Sequence, residues 1–185
     1  MKFSFTSRLL ARQALIAAFY AVITLAGFGI SYGPIQFRFS ELLNWLVFFD
    51  PKNVIGLTIG CFLSNIPSPL GAIDMFVGTL GTLLATLCMA KSKNHWIAGI
   101  WPAVFSFLYS GESLFLGQIP GNAFVAVTGQ IMLSELIIVA VIGIPVAYLL
   151  SKSQAFRKAV ADDTMLPTRE SWTHTPAFPG SLFQL

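Results

Sequence analysis

The sequence predicts an all-α integral membrane protein with about six transmembrane helices, packed as one bundle. Three observations carry that expectation. Of the 185 residues, 55% are hydrophobic and only 10% charged, with a mean hydropathy of +0.74; soluble domains carry roughly a quarter charged residues. The apolar residues gather in long runs separated by short Gly/Pro or charged breaks. Numbering those breaks alternately inside and outside puts nearly every Lys and Arg on one side, the pattern of cytoplasmic loops. The net charge of +3 is small and spread out, so no nucleic-acid partner is expected, only the lipid bilayer.

Residues 1–12 carry Lys2, Arg8 and Arg12 and lead into an apolar run from Ala14 to Ile30. A signal peptide opens similarly, but the chain stays apolar afterwards, so this run reads as the first span. Its alanines, Ala14 with Ala18 and Ala17 with Ala21, have the small-xxx-small spacing that lets two helices approach closely, within this chain or against a partner. The second segment, Ile35 to Phe49, and the third, Asn53 to Ile66, flank the break Asp50-Pro51-Lys52. Each has only about 14 residues, short of the ~20 needed to cross upright, so the pair either crosses tilted or dips in as a re-entrant hairpin. Gly56 and Gly60 offer a second close-packing face. Asn65-Ile66-Pro67-Ser68-Pro69-Leu70-Gly71 reads as a turn.

The fourth segment runs from Ala72 to Ala90, with Asp74 in its first turn. A basic loop, Lys91 to His95, leads to the fifth, Trp96 to Leu116, whose end Tyr109-Ser110-Gly111-Glu112 is polar. After a Gly/Pro loop over Gly117 to Asn122, the sixth and longest segment, Phe124 to Leu150, contains Gln130 and Glu135. Residues 1–151 thus form the membrane domain, and 152–185, polar and proline-containing, are expected as a disordered cytoplasmic tail. Cys61 and Cys88 lie inside apolar runs with no CxxC spacing and read as buried small hydrophobes.

With both termini in the cytoplasm, ten of the eleven basic residues fall inside and only Arg38 outside. Arg38 belongs to Gly33-Pro34-Ile35-Gln36-Phe37-Arg38-Phe39-Ser40-Glu41, at the head of the second segment. Arg38 and Glu41, at i and i+3, are spaced to pair. The stretch is either an interfacial anchor or the mouth of a polar pocket. Asn65, Asp74, Glu112, Gln130 and Glu135 all fall on the same outer side, while the inner halves of the helices hold almost no such groups. That asymmetry suits an outward-facing cavity and not a channel. A carboxylate deep in a bilayer costs roughly 2.5–3.5 kcal/mol, and Glu41, Asp74, Glu112 and Glu135 face a single arginine, a local sum of −4 + 1 = −3. The excess calls for a ligand that is cationic or rich in N–H donors; Glu112 is the acid most readily left wet in a loop. No HExxH, CxxC or nucleophile-elbow sequence points to catalysis, and no metal-ligand set is apparent. There is no GxxxxGK[ST] loop either, so any ATP used must be hydrolysed by another protein.

The stretch Gly33 to Leu43 resembles the signature of QueT-type queuosine-precursor transporters, as do Gly60-Cys61-Phe62-Leu63-Ser64-Asn65 and Ser68-Pro69-Leu70-Gly71-Ala72-Ile73-Asp74. Those are substrate-binding S components of energy-coupling-factor (ECF) transporters, and the resemblance covers roughly residues 8–150. It implies a six-helix bundle with an outward pocket, a membrane scaffold subunit (EcfT) contacted by Ala14, Ala17, Ala18 and Ala21, and two ATPase subunits that bind the ATP. No cofactor is implied in this chain. The implied substrate is 7-aminomethyl-7-deazaguanine (preQ1), whose ammonium and guanine N–H groups call for acceptors such as carboxylates and amides. The binding residues expected on this basis are Gln36, Arg38, Glu41, Asn65, Asp74 and Glu135, with Trp45, Phe37 or Tyr109 to stack on the base. The alternatives are a transporter of another vitamin or nucleobase, and a membrane scaffold protein that binds no small ligand.

Overall fold

The computed structural model describes residues 6–32 and 37–161, and every regular element among them is helical. Helix α1 (Ser7–Ala26) begins where the Thr6 hydroxyl accepts the Leu9 amide at 3.2 Å. Helix α2 (Phe39–Phe49) winds as a 3-10 helix through Trp45 and as an α-helix for its last turn. Helices α3 (Val54–Ser64), α4 (Ala72–Lys91), α5 (His95–Phe105) and α6 (Phe107–Phe115) follow. Helix α7 (Gly121–Ser151) includes a π-helical stretch, Leu136–Ile142, and α8 (Gln154–Val160) ends the described chain.

Three of these, α1, α4 and α7, are long and apolar enough to cross a membrane. The protein is an integral membrane protein of the all-α class. By their rise per residue α2 reaches about 20 Å and α3 about 17 Å, against a hydrocarbon core of ~30 Å. Both are as short as their sequences foretell. The fifth segment is not one helix but two, α5 and α6. Pro102 deletes a backbone donor inside α5, and Ser106 Oγ donates back to the Ala103 carbonyl at 2.7 Å. That break turns Tyr109, Ser110, Glu112 and Ser113 of α6 toward the interior.

Helix α1 lies close against α3. A Cβ added at Gly60 would sit 2.7 Å from Tyr20 Cβ and 2.8 Å from the Ala17 carbonyl oxygen. Glycine is therefore required there for steric reasons, and the contact corrects one expectation. Ala17 is buried against α3 and is closed to any outside partner. Ala14 and Ala18 stay exposed on the outer face of α1, and Ala21 is half-buried.

Two polar networks occupy opposite ends of the bundle, and an apolar layer that includes Ile16, Leu57, Met89, Ile138 and Val139 separates them. One network joins α1 to the α2–α3 connection. Arg12 Nη2 donates to Asp50 Oδ2 at 2.6 Å, and Gln13 Nε2 to Asn53 Oδ1 at 3.2 Å. Asn53 Nδ2 donates at 2.8 Å to the carbonyls of Leu46 and Val160. The second of these bonds fastens α8, whose Phe156 ring meets Phe49 edge-on at 5.4 Å. Residues 154–160, expected in a disordered tail, therefore form a docked helix; residues 162–185 lie outside the described chain. His95, expected in a loop, is the buried first residue of α5 and packs on Phe48 and Trp45.

Candidate functional site

The second network gathers around Arg38. Arg38 stands in extended backbone just before α2, which throws its side chain away from the helix that follows. Arg38 Nη2 donates to Asn65 Oδ1 at 2.9 Å and lies 3.9 Å from Asp74 Oδ2, while the guanidinium sits over the Tyr32 ring at 5.1 Å. The expected Arg38–Glu41 pair is not formed. Glu41 instead accepts from the Tyr20 hydroxyl and from Asn44 Nδ2. An i,i+3 spacing brings side chains together within one helix, and here only Glu41 is inside it.

Asn65 holds the centre. It receives Arg38, and its own Nδ2 reaches the Asp74 carbonyl at 3.3 Å and Cys61 Sγ at 3.6 Å. Asp74 also accepts from Ser68 Oγ. Gly78 permits this crowding, because a Cβ there would lie 2.5 Å from Asn65 Nδ2 and 3.1 Å from Asp74 Oδ1. Tyr109 is buried with its hydroxyl over Gly81, within electrostatic range of Glu41, Glu135 and Arg38. All four acids, Glu41, Asp74, Glu112 and Glu135, feel the charge of Arg38. The structure thus brings together Arg38, Glu41, Asn65, Asp74, Tyr109 and Glu135.

Trp45 does not join them. Its indole Nε1 donates to the Val139 carbonyl at 2.8 Å, and its ring fills the core space left by Gly99 and Gly143. The ring is in the core because a π-helical turn leaves a carbonyl for its N–H and two glycines leave it room. Gln36 lies outside the described residues. Phe37 is half-buried, edge-on to Phe39 at 5.3 Å.

Beside the cluster is a cavity of about 310 Å³, lined among others by Tyr32, Ser68, Asp74, Ser113, Gln118 and Gln130. A larger groove of about 750 Å³, lined by Leu15, Phe19, Leu42, Val146 and Phe156 among others, is almost wholly apolar and touches none of the four acids. Size favours the groove and chemistry the cavity; the hydrogen-bonding groups a polar ligand needs are in the cavity.

Most informative are the buried polar atoms without a partner. Near Arg38 they are both carboxylate oxygens of Glu112, Oε2 of Glu135, Oδ1 of Asn44 and Nε of Arg38. Four are acceptors and one is a donor. Native proteins leave few such atoms, and an excess of acceptors suits a molecule that donates hydrogen bonds.

The model of a family described as "QueT transporter" matches residues 10–152 of this sequence. The chain belongs to the QueT transporter family. The match contains the Arg38 network and the Arg12, Gln13, Asp50 and Asn53 side chains of the other, and stops short of α8. A curated relative, the queuosine precursor transporter QueT of Lactococcus lactis subsp. cremoris (strain MG1363), is 48% identical over 73 residues. That alignment covers 38% of this chain and 43% of the relative, so the chain spans less than half the length of the curated relative it matches. No solved structure matches.

Within this QueT-family chain, sequence reasoning overlooked Tyr20, Tyr32, Asn44 and Ser68, all of which bond to or stack on the charged residues. Asn44 stands at the helical i+3 spacing from Glu41 and Ser68 within the quoted signature, so both had a signal, whereas Tyr20 meets Glu41 across 21 positions of sequence. Glu112, expected wet in a loop, is 5% exposed. Cys61 and Cys88 are free thiols; Cys61 is buried as expected but accepts from Thr82 Oγ1 and Asn65 Nδ2, and Cys88 is only half-buried.

Proposed function

We propose that this chain is the membrane-embedded substrate-binding component of an energy-coupling-factor transporter that imports a queuosine precursor, 7-aminomethyl-7-deazaguanine. The carrying observation is the buried surplus of acceptors around Arg38, four acceptor atoms against one donor. Membership of the QueT transporter family and the name of the Lactococcus relative support the substrate class. The ligand's ammonium and guanine N–H groups are the donors the cluster lacks. Charge-assisted bonds of this kind are roughly twice as strong as neutral ones.

Arg38, Glu41, Asn65, Asp74, Tyr109 and Glu135 form the substrate site on this reading together with the unpartnered Asn44 and Glu112, with Gln36 a further candidate. The end bearing Arg38 faces outside and both termini face the cytoplasm, because ten of eleven basic residues then lie inside. The apolar layer below the cluster offers the ligand no hydrogen bonds on the way through. Passage therefore needs a movement of the whole chain or a rearrangement within it, driven by partners. Those partners are a scaffold subunit, which meets α1 at Ala14, Ala18 and Ala21, and two ATPase subunits that bind and hydrolyse ATP. The chain itself carries out no chemistry.

Uptake tests this. Cells producing the chain together with scaffold and ATPase subunits are expected to accumulate labelled 7-aminomethyl-7-deazaguanine, and cells lacking either the chain or the ATPases are not. Accumulation that persists without the chain would overturn the assignment.

A further inference from the structure

Resting on that function, the four acids of the cluster can be divided by what already holds them. Glu41 is engaged at both oxygens, by Tyr20 and by Asn44. Asp74 has Ser68 and the Arg38 guanidinium. Glu112 and Glu135 differ. Glu112 is 5% exposed with neither oxygen bonded, and Glu135 is 4% exposed with Oε2 unbonded.

Neither lines the cavity wall itself, but both stand on helices that do. On α7, Val127 and Ile131 line the cavity, and Glu135 continues that row at the next i+4 position. On α6, Ser113 lines the cavity, and Glu112 precedes it on the buried face, within electrostatic range of Asp74 and Arg38. Glu112 therefore has two free oxygens, with the Asp74 carboxylate in electrostatic range. Glu135 presents one free oxygen, and like the free Oδ1 of Asn44 it belongs to the surroundings of Glu41.

We propose that Glu112 receives the cationic group of the substrate, that Glu135 and Asn44 receive its neutral N–H donors, and that Glu41 and Asp74 are positioning residues that hold this frame without being its main contacts. Two free oxygens suit an ammonium, which has three donors and no acceptor. A single free carboxylate oxygen beside an amide oxygen suits the adjacent N–H groups of a guanine edge. The substrate class is thereby narrowed to molecules with a cation at one end and a neutral donor edge at the other.

The test has an unliganded arm and a liganded arm. In detergent without ligand, Glu112→Gln and Glu135→Gln are expected to leave the melting midpoint unchanged or raised, since each removes a buried acid that lacks a partner. Glu41→Gln and Asp74→Asn lower it, since each disrupts a bonded group. In calorimetric titrations, Glu112→Gln weakens the amine at least 30-fold, but changes affinity for the nitrile analogue, 7-cyano-7-deazaguanine, less than about threefold. Glu135→Gln weakens both ligands by similar factors. A Glu112→Gln midpoint that falls as far as that of Glu41→Gln makes Glu112 structural and overturns the proposal. So does amine affinity retained within threefold, or an equal loss for amine and nitrile. If the unaltered protein binds neither deazaguanine, the transport substrate is wrong. The roles of Glu112 and Glu135 are then decided by the unliganded arm alone, where a fall in either midpoint refutes them.

Discussion

Arg38 is the residue on which most of the site depends. It holds Asn65 at 2.9 Å, faces Asp74 at 3.9 Å and stacks on Tyr32. Removing one partner of a buried charged pair typically costs about 3–5 kcal/mol, because the other charge is left uncompensated. Arg38→Gln is expected to lower the melting midpoint and to weaken ligand binding together. Arg38→Lys restores the charge but not the planar fork, so it should recover stability only in part. Asp50→Ala removes the carboxylate that Arg12 holds at 2.6 Å, at the other end of the bundle. A loss of about 3–5 kcal/mol is expected there too, read as a lower midpoint with ligand affinity unchanged. If Asp50→Ala weakens binding as strongly as Arg38→Gln does, the two networks are not independent. At this scale the sequence was legible in charge and illegible in pairing. Four acids and one arginine at one end of the bundle can be counted from the sequence. That Arg38 chooses Asn65 and Asp74, 27 and 36 positions away, depends on backbone direction that no local spacing encodes.

Among the elements, α1 has two unlike faces. The face bearing Ala17 and Tyr20 is locked onto Gly60 of α3, and the face bearing Ala14 and Ala18 is open. Ala17→Trp has no room and should prevent folding, seen as loss of a monodisperse peak in detergent chromatography. Ala18→Trp should leave folding and ligand affinity intact while abolishing co-purification with the scaffold subunit, because a bulky ring blocks close helix approach. A normal complex with Ala18→Trp would mean that the scaffold binds elsewhere. The small-residue spacing announced close packing on α1, yet it overlays two registers, and only the position of α3 tells them apart. The short α2 and α3 were readable from length. The 3-10 winding of α2 was not, nor was the break at Ser106, although Pro102 was in plain view. The π-turn in α7 left no sequence mark, and with it the destination of the Trp45 ring was hidden.

For the whole molecule, membrane class and bundle architecture follow from composition and run length, which are coarse and robust features. The docking of α8 was missed because its seven residues are polar enough to resemble a tail. The Asn53–Val160 and Arg8–Lys158 bonds and the Phe49–Phe156 contact reveal that it packs. Sidedness is a prediction of the molecule as a unit. Single cysteines at positions 93 and 119, in a background lacking Cys61 and Cys88, should differ in labelling by an impermeant reagent in intact cells. Position 119 should label and position 93 should not; the reverse pattern would invert the orientation.

The central claim is that the buried acceptors around Arg38 wait for a cationic, donor-rich deazaguanine. Calorimetric titration of the purified full chain with 7-aminomethyl-7-deazaguanine and with its nitrile analogue tests it most directly. A saturable one-to-one isotherm is expected for the amine, with the nitrile weaker by about tenfold or more, which is ~1.4 kcal/mol. No heat from either compound, or a nitrile that binds as tightly as the amine, would contradict the account.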